Sequence, residues 1–533
     1  MPKYIINNIK LSYRTSKEEA IKAAEKTLLK FFSKNSINSL VVSKKSLDAR
    51  KRDNINFVYS VTAEVEDDRI IPEKRMLAES MVKISEELLT PVFGDEKMIS
   101  RPVVVGFGPS GMFCALILAE YGYRPIVIER GEDIEPREKA VEKFLTEQIL
   151  DENSNIQFGA GGAGTFSDGK LVTRINDKKC SYVLKTMVEL GAPSHILYEA
   201  KPHIGTDILK TVVMNMRKRL EELGAQIYFN TQFTGFTSFA GRVTKITTNK
   251  GDFECSSLIL ALGHSARDTF EMLMKKELSF IPKAFSVGVR IEHLQDEIDK
   301  GLYGDNAGDP LLPKGEYNLS HREGERGAYT FCMCPGGTVI AAASEHGGVV
   351  TNGMSKYARD GKNANAAIAV SVLPSDFGNS AQKAIAFQRE LERKAFVIGG
   401  SNYYAPGETV GDFLGGLRGT EPSLVSPSYM NGKVKITDLN ELLPSFVSEF
   451  LKKGLHDFGR KLPGFDVPYA MLTGIESRTS SPIRIIRNSD YTALGYDNIY
   501  PCGEGAGYAG GITSAAVDGI NCAFGIMAKY KQE

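Results

Sequence analysis

The sequence predicts an α/β protein in which a Rossmann-like dinucleotide-binding domain is interrupted by an α+β, substrate-facing domain and preceded by a small α+β domain of ferredoxin-like or RRM-like build. Three observations predict it. From Arg101 the chain runs strand, Gly-rich turn, helix, the grammar of an open α/β sheet. The same grammar returns at 498–520, after a long section of mixed strand and helix signals at 276–465. Residues 1–95 carry a βαββα order of their own. The expected domains are therefore 1–95, the discontinuous pair 98–275 and 466–533, and 276–465. At 533 residues the chain exceeds the size at which one core keeps growing, so several domains are expected.

In the first domain Ile5, Ile9 and Leu11 predict a strand. Ser16, with Glu19 three residues on, predicts a capping box that opens an amphipathic helix through Phe32. The runs 39–43 and 56–65 read as strands, and a second helix is expected near 76–89. Residues 1–60 hold 13 Lys/Arg against 5 Asp/Glu, whereas 61–97 hold 5 against 10. The cluster Lys44, Lys45, Arg50, Lys51 and Arg52 offers a face to a phosphate-bearing partner. No aromatic RNA-stacking motif accompanies it, so a solvated polar face is the plainer reading and nucleic acid is not the expected partner.

Lys+Arg and Asp+Glu both number 65, so no global field draws the chain to nucleic acid or to an acidic membrane. The N-terminus has no signal-peptide pattern, and no apolar run reaches the roughly 18 residues of a membrane span. A soluble, cytoplasmic protein is expected. Seven scattered cysteines do not resemble a disulfide framework, and no metal site is expected. Gly is abundant, at 52 residues, and is clustered in a few runs, which points to backbone that turns tightly or approaches a ligand.

The first run is the strand Val103 to Val105, then Gly106-x-Gly108-x-x-Gly111, an apolar helix ending near Gly122 and a second strand ending at Glu129. Gly106 permits the tight turn, Gly108 lets the backbone approach a pyrophosphate, and Gly111 lets helix and sheet pack closely. Pro109 and Ser110 open the helix, whose free N–H groups face the phosphates. Glu129 is placed to accept hydrogen bonds from ribose hydroxyls. An acid there argues for FAD or NAD over NADP, although Arg130 beside it softens the exclusion.

The C-terminal run NIYPCGEGAGYAGGITSAAVDGI separates FAD from NAD. It reads as a short strand, a turn carrying Gly503 and Glu504, and a helix beginning near Gly510, Gly511 and Ile512, whose N-terminus suits the pyrimidine edge of a flavin. A simple NAD enzyme needs no such second module. FAD, held non-covalently, is the expected cofactor. A third run, 158–171, contributes Gly161, Gly162, Gly164 and Thr165 to a loop over the cofactor. The residues 224–233 read as the strand beside the adenine, and the strand of 256–270 breaks at Ala261, Leu262 and Gly263, close to the cofactor.

Together these residues resemble the two-dinucleotide-binding-domain flavoproteins, the glutathione-reductase-like superfamily. More closely, the runs 158–171, 283–293, 331–355 and 474–484 and the C-terminal tail resemble a bacterial family of uncharacterised FAD-dependent dehydrogenases. The resemblance covers the chain from its first domain to its end. It implies a glutathione-reductase-type arrangement with FAD on Gly106, Gly108, Gly111, Glu129, the 161–164 loop and Gly503 to Ile512. One departure is Ala160, where the resemblance leads one to expect an acid. No substrate is carried over.

The residues that could perform chemistry are less sharply marked. His264, His346, Glu476 and Arg478 are the catalytic candidates, with Arg478 suited to clamp a carboxylate or stabilise an enolate-like substrate and Glu476 to orient it. For each histidine a structural role is the plainer reading. Cys332 and Cys334 invite a redox reading, yet their neighbours Phe331, Met333 and Pro335 supply no charge to lower a thiol pKa. Both are expected to be reduced and without a redox role. There is no second GxGxxG in a strand–turn–helix setting, so NAD(P)H is expected at most as a transient donor. The leading expectation is an FAD-dependent oxidoreductase acting on a small organic molecule. A flavin-dependent RNA-modifying enzyme and a non-catalytic FAD-binding sensor are the alternatives.

Overall fold

The computed structural model describes residues 1–67, 69–84, 90–416 and 419–532. The chain divides into two compact units. The first comprises Met1–Thr90 with the excursions Pro193–His203 and Asp299–Gly315. Its strands Lys3–Ser12, Ile37–Asp48, Asn56–Val65 and Met81–Ile84 make a four-stranded sheet in the order second, third, first, fourth, with every pair antiparallel. The helices Lys17–Leu28 and Glu73–Ala78 provide the two crossovers. Each β–α–β unit therefore has a strand of the other inserted between its own two strands.

Apolar spacing produces this packing. Ala20, Ala24 and Leu28, four residues apart, line one face of the helix and are fully buried against Tyr4, Ile6, Tyr59 and Val61. Tyr198 and Tyr303, from the two excursions, join the same core. Three expectations are corrected here. The first helix stops at Leu28, short of Phe32. Ser16 is its N-cap without a side-chain cap bond, and Glu19 pairs instead with Lys22 at 2.7 Å, so no capping box forms. The helix expected near 76–89 is a short helix, Glu73–Ala78, followed by the strand Met81–Ile84, and 85–89 fall outside the described residues. Pairing of Met81 with Ile6 and complete burial of Met81 override the helical propensity of the segment.

The second unit is a mixed α/β structure built on a five-stranded parallel sheet. Its order is Ile499–Pro501, Leu258–Leu260, Val103–Val105, Ile126–Ile128, Gln226–Tyr228. Val103–Val105 comes first in sequence and stands in the middle; the chain adds two strands on one side, then crosses to the other. The crevice between Val103–Val105 and Leu258–Leu260 is thus a topological switch point, where ligands of open α/β sheets bind at the strands' carboxyl ends. The helix Pro109–Glu120, buried from Ser110 to Ala119, packs against the C-terminal helix Ile512–Lys529. A Cβ on Gly519 would overlap the carbonyl of Ser110, so glycine allows that close approach.

A seven-stranded sheet forms the other half of this unit, in the order Ser320–Glu323, Arg326–Cys334, Asn363–Val372, Phe285–Leu294, Met471–Glu476, Ala405–Thr409, Val434–Ile436. Phe285–Leu294 and Asn363–Val372 are buried almost throughout, because helices such as Ala381–Gly399 and Ser445–Lys461 cover the sheet. Among the described residues no helix is long and apolar enough to cross a membrane.

Candidate active site

At the switch point a cavity of about 350 Å³ is lined by the residues that end the parallel strands: Gly106 after Val105, Glu129 after Ile128, Ala261 after Leu260, and Cys502 after Pro501. Gly106 has φ +107°, and a Cβ on it would overlap the carbonyl of Ala261, so only glycine makes this turn without strain. Gly108 caps the helix Pro109–Glu120 and has nothing closer to its absent Cβ than the Cα of Gly162 at 3.8 Å. That leaves the helix N-terminus open to the cavity. Gly111 does not line it; its Cβ would overlap the carbonyl of Gly106, which is why helix and turn can touch.

Glu129 is buried, and three backbone amides donate to its carboxylate: Phe107 at 2.9 Å, Gly131 at 3.0 Å and Gly159 at 2.9 Å. The acid therefore ties the Gly106 turn to the 158–171 loop besides facing the cavity. Arg130 also lines the cavity, with its guanidinium held by Asp268 at 2.7 Å and stacked over the ring of Phe158. Gly162 and Gly164 line the cavity from a short 3₁₀ turn, Gly162–Phe166. Gly161 and Thr165 stand behind them: the Gly161 amide donates to Phe107 and the Thr165 hydroxyl to the carbonyl of Ala160. That same carbonyl accepts from the fully buried Arg137 at 2.7 Å, so Ala160 contributes its backbone where an acid was expected.

The C-terminal run closes the other wall. Pro109, Ser110, Glu504, Gly510, Gly511, Ile512 and Gly263 all line the cavity, and the helix Ile512–Lys529 points its N-terminus at it. Gly503 stays outside, its amide donating to Asp518 at 2.7 Å. Burial raises the Glu504 carboxyl to about 7, against the pull of Lys283. The geometry fits an elongated dinucleotide. Two helix N-termini face one space, and glycines stand where side chains would fill it.

The polar side chains at the far end of the cavity are already committed. Glu476 does not orient Arg478. It accepts from Arg290 twice, both at 2.9 Å, and Arg290 also donates to Asn352 and to the Cys332 carbonyl. Arg478 instead forms a bidentate pair with Glu392, at 3.0 and 2.7 Å, and donates to Ser265 and Ser344. Glu392 holds Arg267 as well, at 2.7 Å. Against the upward push of burial, Arg267 and Arg478 keep the Glu392 carboxyl well below the usual carboxylate range. Asp168 similarly binds Lys170, Arg359 and Ser355.

His264 lines the cavity with Nδ1 3.0 Å from the Ser265 hydroxyl. Burial, with Arg478 and Arg267 nearby, pushes it down to about 3, so it is neutral at physiological pH. His346 lies elsewhere, largely exposed in a separate surface depression, with Nδ1 3.3 Å from the Tyr403 hydroxyl. Sequence reasoning missed Asp168, Lys170, Asn352, Arg290 and Glu392. Asp168 and Lys170 stand inside the third Gly-rich run and were within reach. Glu392 sits mid-helix without a local signal.

The fold and this cavity define a dinucleotide-binding α/β protein. Residues 284–479 match the family model described as FAD-dependent protein, C-terminal domain-like, and residues 1–64 match a domain of unknown function. An uncharacterized protein of Clostridium beijerinckii is 46% identical over 530 residues, covering 98% of both chains. The chain belongs to one family with that clostridial protein, a family that carries the FAD-dependent C-terminal domain. Among solved structures, L-amino acid deaminase from Proteus vulgaris is 12% identical, covering 83% of this chain and 97% of its own, at a TM-score of 0.36. Glycine oxidase from Bacillus cereus is 11% identical, covering 81% and 99%, at a TM-score of 0.35. Likenesses this distant carry no argument about function.

Proposed function

We propose that this protein is an FAD-dependent oxidoreductase, of glutathione-reductase-type arrangement, that acts on a small organic molecule at the end of the cavity bounded by Lys170, Cys332, Asn352 and Glu476. The carrying observation is a single cavity at the switch point of the parallel sheet, faced by two helix N-termini. In this reading Gly106, Gly108, Ser110, Gly162 and Gly164 hold the pyrophosphate through backbone, Pro109 packs beside it, Glu129 and Arg130 flank the adenosine ribose, and Glu504 with Gly510 to Ile512 holds the flavin side. Bound FAD supplies two-electron redox chemistry. The protein's own part is to exclude water and position the substrate. Its arginines bear on this, since Arg478 and Arg290 are saturated by Glu392 and Glu476 and leave no bidentate fork for a substrate carboxylate.

The strand order of the first unit supports the ferredoxin-like description. Its basic cluster is partly engaged within the unit: Arg50 pairs with Asp48 at 2.8 Å, Arg52 donates to the Gly301 carbonyl, and Lys45 lies over the Phe57 ring. An RNA-binding role is therefore not favoured.

The test is direct. The purified protein is expected to be yellow and to release FAD on denaturation. Anaerobic screening of NADH, NADPH and candidate substrates should then find one that bleaches the flavin. A colourless protein that cannot be reconstituted with FAD would overturn the reading, and a flavoprotein that no reductant bleaches would point to a non-catalytic sensor.

A further inference from the structure

The charged side chains at the substrate end of the cavity cancel, and their hydrogen bonds are spent. Glu476 accepts from Arg290 at both oxygens, 2.9 Å each, and from the Thr351 hydroxyl at 3.3 Å. Both oxygens of Asp168 are likewise taken, one by Ser355 and Arg359, the other by Lys170 and Arg359. Glu316 adds a third acid, 3.6 Å from Lys170 and from Arg359. Three acids thus face three cations. Against the push of burial, Lys170 and Arg359 keep Asp168 below the usual carboxylate range and Asp168 keeps Lys170 above the usual amine range, so this pair stays charged at neutral pH. Cys334, and then Arg290 and Lys170, draw the Cys332 thiol down against burial, and its ionisation adds only negative charge. Among the described residues of this end, a carboxylate therefore meets no unpaired arginine and an ammonium no unspent oxygen of Glu476 or Asp168.

What remains is one amide donor and an apolar wall. The side-chain oxygen of Asn352 accepts from Arg290 at 2.9 Å and from the Gly353 amide at 2.8 Å, which makes the nitrogen the end of the amide left over. That Nδ2 has no acceptor among the described residues, and Asn352 lines the cavity. Lys170 spends one of its hydrogens on Asp168, at 2.7 Å, and is the second donor of this end. Phe331 and Val172 line the cavity too and are 41% and 51% exposed. Phe331 faces it beside Cys332 because the strand Arg326–Cys334 bulges: Phe331 pairs with Ala367 and Cys334 with Asn365, one residue more than the partner strand carries there. Open apolar side chains on a cavity wall leave water when an apolar ligand covers them.

We propose that the substrate is an uncharged molecule with one carbonyl-type acceptor oxygen and an apolar, ring-sized body. The Nδ2 of Asn352 donates to the oxygen, with Lys170 as the second donor, and the body lies against Phe331 and Val172. The inference rests on the flavin reading above, which assigns the rest of the cavity to FAD. Selectivity comes from the ion pairs, which are complete before anything binds. A neutral carbonyl gives up water that Asn352 and Lys170 replace, whereas an ion of either sign gives up water that nothing replaces.

The test is equilibrium binding of three probes that share one apolar body and differ in charge: benzylideneacetone, a neutral ketone; cinnamate, its carboxylate counterpart; and cinnamylamine, an ammonium. Isothermal titration of the purified, full-length, flavin-loaded protein at neutral pH is expected to give a dissociation constant for the ketone about tenfold below those of the two ions. Asn352→Asp puts an acceptor where the donor stood, and should weaken the ketone about tenfold and strengthen cinnamylamine by a similar factor. Phe331→Ala should weaken the ketone several-fold. Glu476→Gln leaves Arg290 in surplus, and should raise cinnamate affinity about tenfold; where that variant does not fold, Asn352→Asp decides. Cinnamate or cinnamylamine binding as tightly as the ketone, no ketone binding at millimolar concentration, or an Asn352→Asp variant with unchanged ketone affinity would overturn the proposal. Flavin content read on the same samples separates the two claims: a yellow protein that prefers an ion sinks only this inference, whereas a colourless one that cannot be reconstituted sinks the flavin reading beneath it.

Discussion

The two ends of the cavity are built by different means. At the Gly106 end the surface is main chain: turn glycines, a helix N-terminus, and one acid, Glu129, whose carboxylate is bound by three nearby backbone amides. At the Glu476 end it is side chain, and the two arginines are neutralised by acids from distant segments, Arg290 by Glu476 and Arg478 by Glu392, while Lys170 pairs locally with Asp168. A phosphate-bearing ligand of fixed shape suits the first construction, because backbone donors do not move. The second construction leaves a wall of buried ion pairs, which excludes water while offering little net charge to a substrate.

Gly111→Val should have the largest effect. Its side chain would overlap the Gly106 carbonyl inside the packed turn, and soluble, cooperatively folding protein should be lost. Gly108→Val, three residues away, should fold with a near-normal unfolding curve but retain little flavin, because its side chain meets only the cavity and Gly162. If both variants behave alike, the distinction between a packing glycine and a ligand-facing one fails. Glu392→Gln should come next. It leaves Arg267 and Arg478 buried without their shared counter-charge, a loss of about 3–5 kcal/mol in urea denaturation.

Glu129→Ala should cost somewhat less, roughly 1.5–3 kcal/mol for the charged acceptor lost, and should weaken FAD binding in titration as well as stability. A variant that loses FAD affinity with no change in stability would mean that the three amides contribute nothing to holding the turn. The smallest effect is in pH. His264 stays neutral in the folded protein down to about 3, whereas in the unfolded chain it takes up a proton near 6.5. The unfolded state therefore binds more protons between those values, so the contribution of His264 is fully present above about 6.5 and is lost as pH falls toward about 3. His264→Gln should flatten the fall of unfolding free energy between pH 7 and 4; an unchanged slope would show that His264 is already free to protonate when folded.

The sequence by itself determined the backbone end of the site. Gly106, Gly108, Gly111 and Glu129 lie within two turns of chain and one helix, and their roles follow from local conformation: a positive φ, a contact that only glycine permits, an acid at the end of the next strand. Hydrophobic runs likewise marked four of the five strands of the parallel sheet, which are buried throughout, whereas the edge strand Gln226–Tyr228 is largely exposed and carries no such run. The helix expected near 76–89 escaped local reasoning because Met81 is recruited as a strand by Ile6, far away in sequence. Only the tertiary structure decided the other end. Glu476 and Arg478 stand two residues apart, yet their partners are 186 and 86 residues away, and no local pattern encodes which distant charge a buried carboxylate will meet. The fold also separated His346 from the cavity, and brought Arg290 and Lys170 toward Cys332, whose sequence neighbours carry no charge. Backbone geometry is written over a few residues, whereas the pairing of buried charges is fixed only when strands and helices from across the chain pack together.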